Sequence, residues 1–200
     1  MGAIDIRPAT IADLPRLAPL MEELRLAMAR LNPAATPPAP AAILRQAEVY
    51  LRGPWNLIML ALAGEEAVGF IRVNARRGES FLPLPGRGLP LGRRVLERFR
   101  RWRRRREGVE EAAAALYLAD LYLRPERRRQ GLGRTLVREA LARFSAVGAE
   151  MVYLFVVANN DEGIRFWTGL GFAPESVLMM RRGPTASGPE AIPREEGKGK

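Results

Sequence analysis

The stretch Arg128-Arg129-Gln130-Gly131-Leu132-Gly133 stands between an apolar run, residues 114–123 (AALYLADLYL), and the helically spaced Leu136, Val137, Leu141 and Phe144. Arginines followed by two glycines at a strand-to-helix junction suit one kind of chemistry, the holding of a pyrophosphate. The glycines leave backbone N–H groups uncovered by side chains, at the helix end that favours negative charge. A phosphate placed there meets donors, a dipole and flanking arginines. Two other glycine motifs are excluded. The third glycine of a dinucleotide fingerprint falls at Leu136, and no Lys-Ser/Thr follows for a nucleotide-triphosphate loop.

Several elements must position this junction. Residues 114–123 contain no Gly or Pro and read as a buried strand, ended by Pro125, which has no N–H for a ladder. After the helix come an expected strand over 151–157, Asn159-Asn160, a short helix and Leu170-Gly171-Phe172. Upstream, the pattern predicts a strand over 4–8 and a helix capped by Thr10 or Asp13 that runs to about Leu31. A proline-rich loop over 32–40 and a second helix over 41–52 follow. Strands over 56–63 and 67–74 join at Gly64-Glu65-Glu66, a hairpin signal. Residues 76–92 are expected as an exposed loop, and Val95, Leu96, Phe99 and Trp102 as the apolar side of an arginine-studded helix. A last strand is expected over 173–180. The expected organisation is one domain over 1–182, with an arginine-rich insertion at about 76–112 and a disordered tail over 183–200.

Together these pieces resemble the GCN5-related N-acetyltransferases. The family signature is a strand ending in Asp-Leu-Tyr-Val-x-Pro, then Arg/Gln-x-x-Gly-x-Gly/Ala. Asp120-Leu121-Tyr122-Leu123-Arg124-Pro125 and Arg128 to Gly133 match it. Downstream, Asn160, Gly163, Phe166, Trp167, Gly171 and Phe172 occupy the places of Asn-x-x-Ala-x-x-Phe/Leu-Tyr-x-x-x-Gly-Phe. The strong match spans residues 116–173. A weaker one takes in Ile4 to Ala9 and Val68-Gly69-Phe70-Ile71, similar to the family's first and third strands.

The resemblance implies an α/β fold with a central mixed sheet flanked by helices. It also implies acetyl transfer from acetyl-coenzyme A directly to a primary amine of a small molecule or a protein. Backbone N–H groups of Gln130, Gly131, Leu132, Gly133 and Arg134 then hold the pyrophosphate. Arg128, Arg129 and Arg134 add charge, and Thr135 adds a hydroxyl. The strand rim at Leu121, Tyr122 and Leu123 corresponds to the site that pairs with the pantetheine amides, as a strand edge does. Asn160 corresponds to a contact with the pantetheine arm, and Phe166 to a residue packed against it.

Attack of an amine on a thioester needs a neutral amine, a donor for the oxyanion and a proton for the thiolate. The N–H of Leu121 or Leu123 is a candidate oxyanion donor. The chain departs from the family at two positions. Ala119 stands where many members have a glutamate base, and Trp167 where many have a tyrosine acid, and an indole is no proton donor at neutral pH. Asp120, Glu79, Glu22 and Glu23 remain as candidate bases, and Tyr117 and Tyr122 as candidate acids. The departures also favour a second reading, a scaffold on the same fold.

Composition narrows the chemistry further. The chain has no cysteine and no histidine, so thiol nucleophiles, disulfides, thiolate zinc sites and imidazole bases are out, and no metal is expected. No apolar run is long enough for a transmembrane helix, and a cytoplasmic protein is the simple expectation. The net charge of +10 is concentrated in residues 93–106, which hold nine arginines and one glutamate. Such density points to an anionic partner there (RNA, the ribosome, an anionic membrane surface or an acidic protein), and a homodimer is a further candidate arrangement. It also favours an acidic, phosphorylated or nucleic-acid-associated substrate over a polycation.

Overall fold

Residues 56–63 (NLIMLALA) hold only one polar residue, and seven of the eight are buried. A strand reads this way when both of its faces are covered. In the computed structural model, which describes residues 3–31, 38–77, 80–82, 114–144 and 149–175, this segment is strand β2 (Asn56–Ala63), inside a mixed sheet. Its neighbours are β1 (Ile4–Pro8) and β3 (Glu66–Arg77), both antiparallel. The order continues through β5 (Ala114–Leu123), antiparallel to β3, to β6 (Met151–Leu154), parallel to β5.

Helices cover the two faces. On one side, α1 (Leu14–Leu31) and α2 (Pro40–Arg52) bring Leu17, Leu20, Met21, Ile43 and Ala47 against Ile58, Leu60, Leu62 and Phe70. On the other, α3 (Leu132–Ala142) brings Leu136, Val137 and Ala140 against Met59, Ala61, Ile71 and Val73. Alternate residues of β2 therefore serve alternate cores. A short helix α4 (Asp161–Thr168) completes the α3 side through Phe166 and Trp167. The expected α/β architecture, a central mixed sheet flanked by helices, is the one observed.

The entry to α1 combines both expected caps. A one-turn 3-10 helix, Ile11–Asp13, precedes it. The Thr10 N–H and hydroxyl donate to Asp13 at 2.8 and 3.1 Å, and Arg7 donates to both carboxylate oxygens at 2.8 and 2.6 Å. The Asp13 side chain is only 2% exposed. Hydrogen bonding from Arg7, working against burial, holds its carboxyl well below the usual carboxylate range.

Several expectations need correction or limits. The second strand of the hairpin runs on to Arg77, and residues 80–82, expected in a loop, form β4 (Ser80–Leu82). β4 pairs with Ala75 to Arg77, where β2 has already ended opposite Asn74, so it takes up the edge that β2 leaves. β6 stops at Leu154 rather than running to 157. Residues 173–175 are not a strand. The rest of the expected last strand, the arginine-rich helix over 93–106, Glu79 and the tail lie outside the described residues. Among the described residues no helix is long and apolar enough to cross a membrane.

Candidate functional site

The run Leu116-Tyr117-Leu118-Ala119-Asp120-Leu121-Tyr122-Leu123 changes phase in the middle. Leu116 and Leu118 face the α3 core, and so do Leu121 and Leu123, although a strict alternation of two would put 121 and 123 on the other face. The pairing with β3 shows how. Val73 lies opposite Leu118 and Arg72 opposite Asp120, so Ala119 is an extra residue, a β-bulge. The bulge turns Asp120 away from the apolar α3 face and puts it beside Arg72.

The same bulge marks the place where two strands part. β6 pairs with β5 only from Ala115/Met151 to Leu118/Leu154. Beyond it β5 continues for five residues, Ala119 to Leu123, with no strand on that edge among the described residues. Backbone N–H and C=O groups along this edge can receive an extended ligand as a strand would. At the point of parting, Tyr117 stacks on Tyr153 with centroids 5.1 Å apart, and Phe155 meets Tyr117 edge-on at 5.8 Å.

The glycine-rich turn lies at the other end of this edge. Arg129 and Gly131 both have positive φ, 60° and 77°, a conformation glycine adopts at little cost. Gly131 is the N-cap of α3 and offers no side-chain cap, so among the described residues the first amides of the helix have no side-chain acceptor. The first helical bond runs from Thr135 N–H to the Gly131 carbonyl at 3.1 Å. Gly133 serves a different need. A Cβ there would lie 3.2 Å from the Phe166 ring, so its bare backbone lets α3 and α4 approach.

The side chains around the turn are mostly engaged in holding it. Arg128 donates through Nε to the Leu123 carbonyl at 3.0 Å and lies 3.6 Å from Glu162. Gln130 donates to the Glu126 carbonyl at 2.9 Å, and Arg134 to the Gly169 carbonyl at 3.2 Å. The Thr135 hydroxyl bonds back to Gly131. Arg129 is 79% exposed, with Glu162 at 3.4 Å. Asn160 caps α4, its Oδ1 accepting from Gly163 N–H at 2.9 Å, and Phe166 meets Trp167 edge-on. Leu121, Leu123, Leu132 and Phe166 all belong to one apolar cluster, and the Cβ position of Gly133 lies against Phe166 and Leu123, so the strand edge, the turn and α4 adjoin.

The two expected catalytic side chains point to the α1/α2 face. Asp120 accepts from Arg72 Nε at 2.6 Å, with Arg25 of α1 3.9 Å from its other oxygen. Arg72 in turn lies over the Tyr50 ring at 4.0 Å. Both oxygens of the Asp120 carboxylate thus face guanidinium groups. Tyr122 is buried in the α1/α2 core, and burial pushes its phenol up, with Glu23 beside it adding to the effect. Glu23 itself accepts from Arg124. Tyr117 is raised as well, first by burial and then by Asp120.

Sequence reasoning missed the polar row on β3. Asn74 donates to Asn56 Oδ1 at 2.7 Å and to the Trp55 carbonyl at 3.1 Å, and Arg76 donates to the Tyr153 hydroxyl at 3.2 Å. Arg72, Asn74 and Arg76 alternate with the buried Ile71, Val73 and Ala75, a period-two signal that the sequence does contain.

Among solved structures, the BH1408 protein from Bacillus halodurans superposes with a TM-score of 0.64 at 18% identity, covering 89% of this chain and 99% of that one. The aminoglycoside N-acetyltransferase AAC(6′)-Iy, in complex with coenzyme A, gives 0.62 at 16%, covering 92% and 97%. An aminoglycoside acetyltransferase from an uncultured soil metagenomic sample, in complex with sisomicin, gives 0.59 at 15%, covering 91% and 97%. At these identities the likeness is one of fold. A search of curated protein sequences found no significant match. The profile of the Acetyltransferase (GNAT) family matches residues 21–172, most of the chain and all of the site above, and the chain therefore belongs to that family of acyltransferases.

Proposed function

We propose that this protein transfers an acetyl group from acetyl-coenzyme A directly to a primary amine. The observation that carries the reading is the parting of β5 and β6 at the Ala119 bulge, at one end of a strand edge whose other end adjoins the Gly131 turn. The uncapped amides of α3 suit the pyrophosphate, and the edge from Ala119 to Leu123 suits the amide-bearing pantetheine arm. The arm would run between this edge and α4, near Asn160 and Phe166, with the thioester at the bulge. Acetyl-coenzyme A supplies the activated carbonyl, and the chain's own groups align and polarise it.

Backbone geometry carries most of the chemistry in this proposal. A bulge frees backbone groups from the ladder, so the N–H groups around Ala119 to Leu121 can donate to the oxyanion. As the amine adds and the C–S bond breaks, one proton leaves nitrogen and one reaches sulfur. Tyr117, kept protonated by burial and placed at the parting, is the proposed donor to sulfur. We assign Asp120 a positioning role through Arg72 and Arg25, with solvent water accepting the proton from nitrogen. Positioning alone supplies several kcal/mol of rate enhancement.

Thermal melting with acetyl-coenzyme A, with ATP as control, tests the first half. A ligand at about 100 times its dissociation constant adds about 2.7 kcal/mol, a shift of several degrees. Release of free thiol in an amine screen tests the second. No shift from protein shown to be free of bound coenzyme A would overturn the reading.

A further inference from the structure

Glu162 stands where the Gly131 turn meets α4. It lies one helical turn before Phe166, so the two share the α4 face that packs on Gly133 at the start of α3. Its two carboxylate oxygens face different arginines of the turn. Oε2 lies 3.6 Å from Arg128 Nη1, and Oε1 lies 3.4 Å from Arg129 Nε. Arg128 is also fixed from the strand side, where its Nε donates to the Leu123 carbonyl. The first turn of a helix favours a negative side chain, and Asn160 caps α4 just ahead of it. Glu162 thus has a reason to sit at this end of α4 apart from the arginines.

A carboxylate and a phosphate ask the same of a guanidinium, planar donors and a positive charge. Arg128 and Arg129 flank the amides proposed for the pyrophosphate, so Glu162 and the pyrophosphate compete for the same two groups. We propose that Glu162 is a built-in competitor, which lowers the affinity of the turn for the coenzyme. The proposal rests on the acetyl-transfer reading and deepens it. Chemistry loses nothing by this arrangement. Acetyl-coenzyme A and the coenzyme A left after transfer carry the same pyrophosphate, so grip on that group is equal before and after the reaction and does not lower the barrier. A looser grip speeds the departure of coenzyme A, which must precede the next turnover. The backbone amides keep their hold on the pyrophosphate, while the share of the arginines is held down.

Calorimetric titration of acetyl-coenzyme A and, separately, of coenzyme A into the unmodified protein and Glu162→Gln tests this. The substitution keeps the shape of the side chain and removes its charge. Both ligands should bind Glu162→Gln more tightly, by a common factor of about threefold or more, as expected for the release of two exposed ion pairs. The gain should shrink in about 0.5 M salt, which screens charges at this separation. Arg129→Ala should weaken binding more in the Glu162→Gln background than in the unmodified protein, because there the guanidinium is released from Glu162. A residue that merely fastens α4 to the turn would move affinity the other way. Unchanged or weaker binding by Glu162→Gln, a gain that salt leaves intact, or a gain confined to acetyl-coenzyme A would each overturn the proposal. Failure of both proteins to bind either ligand is a different result, and would sink the acetyl-transfer reading along with it.

Discussion

The two sides of β5 are built from different materials. Along its free edge and at the Gly131 turn, the groups open to the proposed ligand are backbone amides and carbonyls, and the side chains nearby are mostly occupied with holding the turn. On the α1/α2 face the groups are side chains: Arg25 and Arg72 pair with Asp120, and Arg76 bonds the Tyr153 hydroxyl, on whose ring Tyr117 stacks. The edge suits a ligand that is always the same, since backbone spacing does not vary with sequence. The face depends on which side chains are present. Substitutions should therefore act differently on the two sides.

The largest effect should come from Arg72→Met. It leaves the Asp120 carboxylate, only 8% exposed, with Arg25 at 3.9 Å as its remaining ion-pair partner among the described residues. Breaking such a pair costs about 3–5 kcal/mol, and the nearby Arg25 favours the lower end. Urea unfolding checks this. A loss below 1 kcal/mol would show that the face is not held together by this pair.

Next comes Asp13→Asn, which removes the acceptor of Arg7 and Thr10 beneath α1 and should cost about 2 kcal/mol at neutral pH. The folded carboxyl lies below its ordinary value of 3.8, so the folded state binds fewer protons in the window between the two. The stabilisation is present above pH 3.8 and is lost as pH falls through the folded value. Urea midpoints of the two proteins should therefore converge on acidification below that point. A difference that stays constant down to pH 2 would count against a carboxylate role.

On the edge side, Gly133→Val should act on binding more than on stability. The added methyls meet the Phe166 ring, already 3.2 Å from the Cβ position, and push α4 from α3. Acetyl-coenzyme A affinity should fall at least tenfold, read by calorimetry, with about 1–2 kcal/mol of destabilisation. The smallest effect should come from Arg129→Ala, whose side chain is 79% exposed. A change in affinity under about fivefold is expected, because an exposed charge is screened. If Arg129→Ala matched Gly133→Val, the turn would be binding through side chains and the contrast would collapse.

The same contrast explains how much could be read in advance. The Arg128–Gly133 turn was legible because only a few residue types satisfy a positive φ and a bare helix start, and they are contiguous. The strand over 114–123, the helices over 14–31 and 40–52 and the hairpin at Gly64 were legible for the same local reason. Even the bulge left a trace, in the repeat Leu-Tyr-Leu on either side of Ala119-Asp120. The pairing of Arg72 with Asp120 left none, since the two are 48 residues apart and many carboxylates compete for each arginine. The early end of β6 was equally hidden, because Phe155, Val156 and Val157 have strong strand propensity. β6 keeps to β5 only up to the bulge, and nothing in its own sequence announces where that lies.

One consequence of the bulge concerns distance. In the proposed reaction the thioester lies along the edge of β5, and the N–H groups proposed for its oxyanion belong to the same segment, Ala119 to Leu121. Their separation is then set by the bond lengths and pleat of a single segment, not by how two domains or a lid come together. Thermal motion that tilts or shifts this strand carries both in step and leaves the gap between them nearly constant. The work left to the rest of the chain is to keep that short piece of backbone in place.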